Sequence, residues 1–96
     1  ISASTGIATA SNNTIAMQLV PNPANEHVNV NLYGLNAGEK NTLVIYDMLG
    51  NVVLKEELSG KTDYELNYDI SGFSKGVYLV EISGSNRKGV SRLVKQ

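Results

Sequence analysis

Few side chains in this chain could do covalent or acid–base chemistry. His27 is the single histidine, with Glu26 beside it, and nine serines could supply a hydroxyl nucleophile. None of those serines stands in a G-x-S-x-G elbow. The alternation that follows His27 turns its ring away from Val28, so a surface histidine is expected. Glu56 and Glu57 are neighbours, which points them to opposite faces of a strand and prevents proton sharing. Glu65 and Asp69 share a face, but four strand residues separate them by about 13 Å, too far for a glycosidase pair.

Metal and cofactor chemistry fare no better. The absence of cysteine excludes disulfides, thiolate metal sites and a cysteine nucleophile. Asn67 and Asp69 have the i, i+2 spacing of calcium ligands, but Ile70-Ser71-Gly72 breaks the loop pattern. Gly84 and Gly89 flank a turn and do not form a phosphate loop. A carbohydrate platform calls for exposed aromatic rings, and there is no Trp. Tyr64 and Tyr68 alternate in step with Leu66 and Ile70, which assigns them to the core and leaves Tyr33 as the one outward ring. The sequon Asn12-Asn13-Thr14 sits in a run of Asn and Thr where a chance match is expected. The residues predict no catalytic group, no metal and no cofactor.

Ninety-six residues with 42% hydrophobic and 18% charged side chains suit one small globular domain. No apolar run reaches the length of a membrane helix. The first residue is Ile1 and no signal peptide follows, as expected of a piece cut from a longer protein. Net charge is −1, which gives no overall drive toward nucleic acid. The charge is unevenly placed. Residues 1–25 carry none, 26–85 carry nine acids and four bases, and 86–96 carry Arg87, Lys88, Arg92 and Lys95 with no acid.

Residues 1–14 are mostly Ser, Thr, Asn and Ala and are expected to form a flexible linker. From Ile15 onward, short apolar runs alternate with turn residues. Ile15–Val20 is stopped by Pro21-Asn22-Pro23. His27–Tyr33 and Tyr64–Ile70 alternate cleanly, as half-buried strands do. Thr42–Asp47 is apolar on both faces and suits a central strand. Gly50 can close a turn into Asn51–Leu58, with Val52, Leu54 and Leu58 sharing a face, so 42–58 is predicted to be a hairpin. Val77–Ile82 suits a second central strand. In Val90–Lys95 the apolar Val90, Leu93 and Val94 fit helical spacing as well as period 2, and a strand with a bulge is favoured because so short a helix would be marginal. Seven short strands predict an all-β sandwich, with Lys55, Lys88 and Lys95 available to protect its edges. Val28, Val30, Leu32, Leu66, Ile70, Val77 and Leu79 are expected to point inward. Residue chemistry alone stops at a structural, ligand-binding or adhesive sandwich module.

The ordered segments reach further. Val20-Pro21-Asn22-Pro23-Ala24 is followed by VNVNL at 28–32 and LVIYDMLGNVV at 43–53. DISGFSKGVYLVEI then fills 69–82, and RLVK fills 92–95. Together they resemble the C-terminal sorting domain of the type IX (Por) secretion system of Bacteroidota, over residues 15–96. An aromatic often precedes P-N-P in that family, where this chain has Val20.

The resemblance implies an immunoglobulin-like, seven-stranded antiparallel β-sandwich. It implies a signal, not a catalyst. An upstream cargo domain would transit the periplasm and cross the outer membrane through the type IX translocon, aided by a shuttle protein, to the cell surface or medium. A sortase-like peptidase would cut between cargo and domain, at or just before the stretch from Ile1 to Thr14. The matched signal positions are Pro21, Asn22, Pro23, Asp47, Gly50, Gly76, Val77, Tyr78, Lys88, Arg92, Leu93, Val94 and Lys95. The four bases at the tail point to recognition along an edge strand, which could also let copies self-associate.

Overall fold

Alternating strands of five to eight residues can bury an apolar face only by pairing into sheets and stacking them. The computed structural model describes residues 14–96, and every regular element in it is a strand. These are β1 (Ala16–Val20), β2 (His27–Tyr33), β3 (Asn41–Asp47), β4 (Val52–Leu58), β5 (Tyr64–Asp69), β6 (Gly76–Ser83) and β7 (Lys88–Lys95). A three-stranded sheet has the order β1-β2-β5, and a four-stranded sheet the order β4-β3-β6-β7. All pairings within the sheets are antiparallel. The result is the expected immunoglobulin-like sandwich, with β4 placed beside β3 in the larger sheet.

The core lies between the sheets. Val28, Val30 and Leu32 face it from β2, with Tyr64 and Ile70 beside them. Leu43 and Ile45 face them from β3, Tyr78, Val80 and Ile82 from β6, and Leu93 from β7. Leu66 and Tyr68 pack at its margin. Along the open side, the Tyr68 hydroxyl donates to the Glu56 carboxylate of the other sheet. Burial, followed by that carboxylate, holds the Tyr68 phenol well above its ordinary pKa.

Two inward assignments fail. Val77 is half-buried and Leu79 is 37% exposed, because β6 turns Tyr78, Val80 and Ile82 inward instead. Both alternate sets in 77–82 are apolar, so periodicity could not choose the face. Val52 also faces out. The register slips between Ile45 and Tyr46, pairing Ile45 with Leu54 but Tyr46 with Val52. Val53 is the extra residue, and it moves Val52 to the outer face. The last strand needs no bulge, since its pairing with β6 runs unbroken from Gly76↔Lys95 to Ser83↔Lys88.

The inner and outer faces make opposite predictions. Leu32→Ala should lower unfolding free energy by about 2–5 kcal/mol. Leu79→Thr should change it by no more than about 0.5 kcal/mol, as a surface substitution. Urea unfolding of the two variants checks the assignment of faces.

Candidate functional site

Thirteen separated positions were matched as a signal, and the fold brings twelve of them to one end of the sandwich. The Pro21–Pro23 turn follows β1, which runs parallel to β7, as the Thr14↔Lys88 and Ala24↔Lys95 bridges show. Its two X–Pro peptide bonds are cis. Asp47 ends β3 opposite Tyr78, Tyr78 lies opposite Leu93, and Gly76 opposite Lys95. Val77 pairs with Val94, and Arg92 with Leu79. Lys88 is the exception. It begins β7, about 23 Å from Lys95 along an extended strand.

Asn22 links the two ends of the motif set. Its side-chain amide donates to the Arg92 carbonyl at 2.7 Å, and its Oδ1 accepts from the Val94 amide at 3.0 Å. One side chain thus serves both backbone groups that a neighbouring strand would have served. Ala24 continues the pairing. Its amide donates to the Val94 carbonyl, and its own carbonyl accepts from the Gln96 amide, both at 2.8 Å. At the far end of β7, the Ile15 amide donates to the Lys88 carbonyl. That approach requires Gly89, where a Cβ would collide with the Ile15 carbonyl oxygen. The free edge expected of β7 is therefore closed at both ends, leaving the stretch around Val90.

Asp47 builds the hairpin tip. Its Oδ1 accepts from the amides of Leu49 and Asn51, each at 2.9 Å, while Oδ2 accepts from the Asn51 side chain at 3.1 Å. Gly50 completes the turn at φ 87°, a conformation that favours glycine. The Asn51 amide foremost, then its side chain, holds the Asp47 carboxyl below its ordinary range. With the backbone held inward, Met48 and Leu49 project outward, 63% and 88% exposed. Across from the tip, Gly76 takes φ 148° and Tyr78 anchors the preceding loop. The Tyr78 hydroxyl donates to the Ser74 carbonyl, and its ring packs 5.1 Å from that of Phe73. Tyr78 and Leu93 are core residues, so folding accounts for both.

The basic tail divides into engaged and free charges. Arg87 donates to the carbonyls of Gly34 and Thr14, clasping two loops. Lys88 pairs with Glu81 at 3.2 Å. Lys95 bends to the Gln96 carbonyl. Arg92 alone of the four is exposed with no ion pair or side-chain hydrogen bond among the described residues. Ala24, Gly89, Met48 and Leu49 had not been singled out. The V-P-N-P-A match and the unguarded M-L at a predicted turn were the available signals.

His27 is exposed and pairs across the strands with Asp69. Among the described residues, no group of three His, Cys, Asp or Glu side chains could hold a metal ion. Thr14, the last residue assigned to the linker, bridges to Lys88. The rest of that stretch, with the expected cleavage region, lies outside the described residues.

One protein family and one known protein bear on this arrangement. The secretion system C-terminal sorting domain family matches residues 18–96. An endo-acting ulvan lyase from Formosa agariphila is 34% identical over 70 residues, covering 73% of this chain. This chain spans only 13% of that enzyme's length.

Asn22→Ala should cost about 1 kcal/mol of stability and speed amide exchange at Val94. Asn22→Asp keeps an acceptor, so it should restore protection at Val94 without restoring the bond to the Arg92 carbonyl. Hydrogen exchange followed by NMR separates the two. For Asp47, the folded state favours the ionised carboxylate. The stability it contributes is present above the ordinary value of 3.8 and is lost as pH falls through the lowered one. Asp47→Ala should therefore unfold at lower urea than the parent at pH 7, and the gap should narrow as the medium is acidified below 3.8.

Proposed function

The chain belongs to the secretion system C-terminal sorting domain family, and from that membership we propose that its motif-bearing end is the address read during export. Domains of this family mark a protein for type IX secretion, to the cell surface or the medium. The observation that carries the finer reading is convergence. Segments scattered from Pro21 to Lys95 meet at one end of the sandwich.

The machinery follows from the family. An upstream cargo domain arrives in the periplasm, an outer-membrane shuttle and the type IX translocon engage the folded sandwich, and a sortase-like peptidase cuts near the stretch from Ile1 to Thr14. Recognition would fall on Arg92, Val94 and Lys95, with Val77 and the Asp47–Gly50 tip. Pro21, Asn22, Pro23, Gly76, Tyr78 and Leu93 would act by holding that end in shape. Lys88, at the opposite end, would contribute through its pair with Glu81. The alignment touches 13% of the ulvan lyase, so no lyase chemistry is carried to this chain.

Deleting the tail is a poor test of the signal. Removing 92–96 would strip Leu93 from the core and release Asn22 and Ala24 from their partners. A reporter fused upstream of residues 1–96 is cleaner. It should reach the cell surface or medium of a host with the type IX system and remain periplasmic in a translocon mutant. Cell fractionation reads the outcome, and export that ignores the translocon would overturn the proposal. N-terminal sequencing of the released domain should find its start at or before Thr14.

A further inference from the structure

The two outer faces of the sandwich differ in kind. On the three-stranded sheet, the outward positions are mostly polar, Gln18, His27, Asn29, Asn31, Glu65, Asn67 and Asp69, with Val20 and Tyr33 as isolated apolar side chains at opposite ends. The four-stranded sheet breaks that rule. One cross-strand row runs Val52–Tyr46–Leu79–Arg92, and the next runs Lys55–Val44–Glu81–Val90. Val77 and Val94 pair beside the first row, and Met48 and Leu49 project at that end. A shallow concavity lies between the tip and the start of β6, lined by Met48, Leu49, Lys75 and Val77. The second row is broken by Lys55 and Glu81 and buries Val44, so the contiguous apolar surface is Val52, Tyr46 and Leu79 with Val77 and Val94. Such a patch on a sandwich's outer face marks an interaction site.

The charges around it are one-sided. Glu81 is held by Lys88 and by the Tyr46 hydroxyl, and Glu57 faces Lys40 at 4.0 Å. The Asp47 carboxylate is occupied within its own hairpin. Lys55, Lys75 and Arg92 are exposed and have no ion-pair partner among the described residues. Asp47 keeps its negative charge there, and three free bases against that one acid leave the rim net positive.

We propose that this face, with the Met48–Leu49 tip, is a docking surface for a protein whose own apolar patch is rimmed by acidic side chains. The proposal rests on the sorting reading and names the surface through which the export machinery would grip the domain. Contact would run through side chains across the sheet, not through strand addition at β7, whose edge Asn22 and Ala24 already occupy.

The test uses the same upstream reporter in a type IX host. Leu49→Ser combined with Leu79→Thr should lower surface export by about tenfold or more, as loss of central apolar anchors does. Arg92→Glu should lower it by at least about threefold, while Arg92→Lys preserves it, because the rim acts through charge. Tyr33→Ser, which removes exposed apolar surface from the opposite face, should export like the parent. Thermal melting of each purified domain confirms that the fold is intact. Parental export by the Leu49/Leu79 and Arg92→Glu variants overturns the docking surface and leaves the sorting reading standing. A parent reporter that stays periplasmic refutes the sorting reading and this assignment with it. Sedimentation that finds a parental dimer dissolved by the Leu49/Leu79 variant assigns the face to a second copy and overturns the acidic partner.

Discussion

The hydrogen bonding of β7 to the Asn22 side chain and the Ala24 backbone is the contact on which the rest of this sandwich depends. An open sandwich of seven strands has four sheet edges, each presenting unpaired amides and carbonyls. Here β1 and the turn after it lie parallel to β7 and close one side. Ile15 is bonded to Lys88, Asn22 to Arg92 and Val94, and Ala24 to Val94 and Gln96. That closure holds Leu93 against the core and fixes the end of the chain beside the Asp47 hairpin and the start of β6. The remaining side, between β4 and β5, is bridged by Tyr68 and Glu56. The sheets are joined differently along their two sides, and the sidedness of the surface follows from it.

How much was legible in advance depended on whether one face of a segment was polar. In β2, Asn29 and Asn31 contrast with Val28 and Val30, so the inward set was plain, and β5 behaved alike. The Asp47–Gly50 turn was readable because its chemistry is local. The face of β6 was not, since Val77 and Leu79 are as apolar as Val80 and Ile82. The β4 bulge was invisible because nothing around Val53 announces an unpaired residue. The bonds of Asn22 reach across 70 and 72 positions, and a side-chain amide leaves no local trace of so distant a partner.

The tail shows the limit of counting charges. Four bases without an acid in the last eleven residues look like a single electrostatic feature. Folded, they separate. Arg87 is a clasp for two loop carbonyls, Lys88 neutralises Glu81, and Lys95 turns to its neighbour's carbonyl. Arg92 stays uncommitted, beside Leu79 on the outer face. Lys88, paired with an acid, adds little to steering a partner, and Arg87 and Lys95 keep their charge but have their donors engaged, whereas Arg92 at the rim of an apolar patch can contribute both rate and specificity.

The same inversion explains why β6 carries two apolar faces. A strand buried on one side only should alternate, and Val77 and Leu79 on the solvent side add less to stability than the inward Val80 and Ile82. Exposed apolar area favours aggregation, so its retention implies a use that offsets the hazard. Closing the β7 edge with Asn22 removes one route to nonspecific pairing, because the backbone groups there are no longer available to a passing strand. What remains accessible is a side-chain surface, whose specificity depends on shape and on the sign of its rim. For the receptor docking proposed above, such a surface discriminates better than an open strand edge, which pairs with any extended segment.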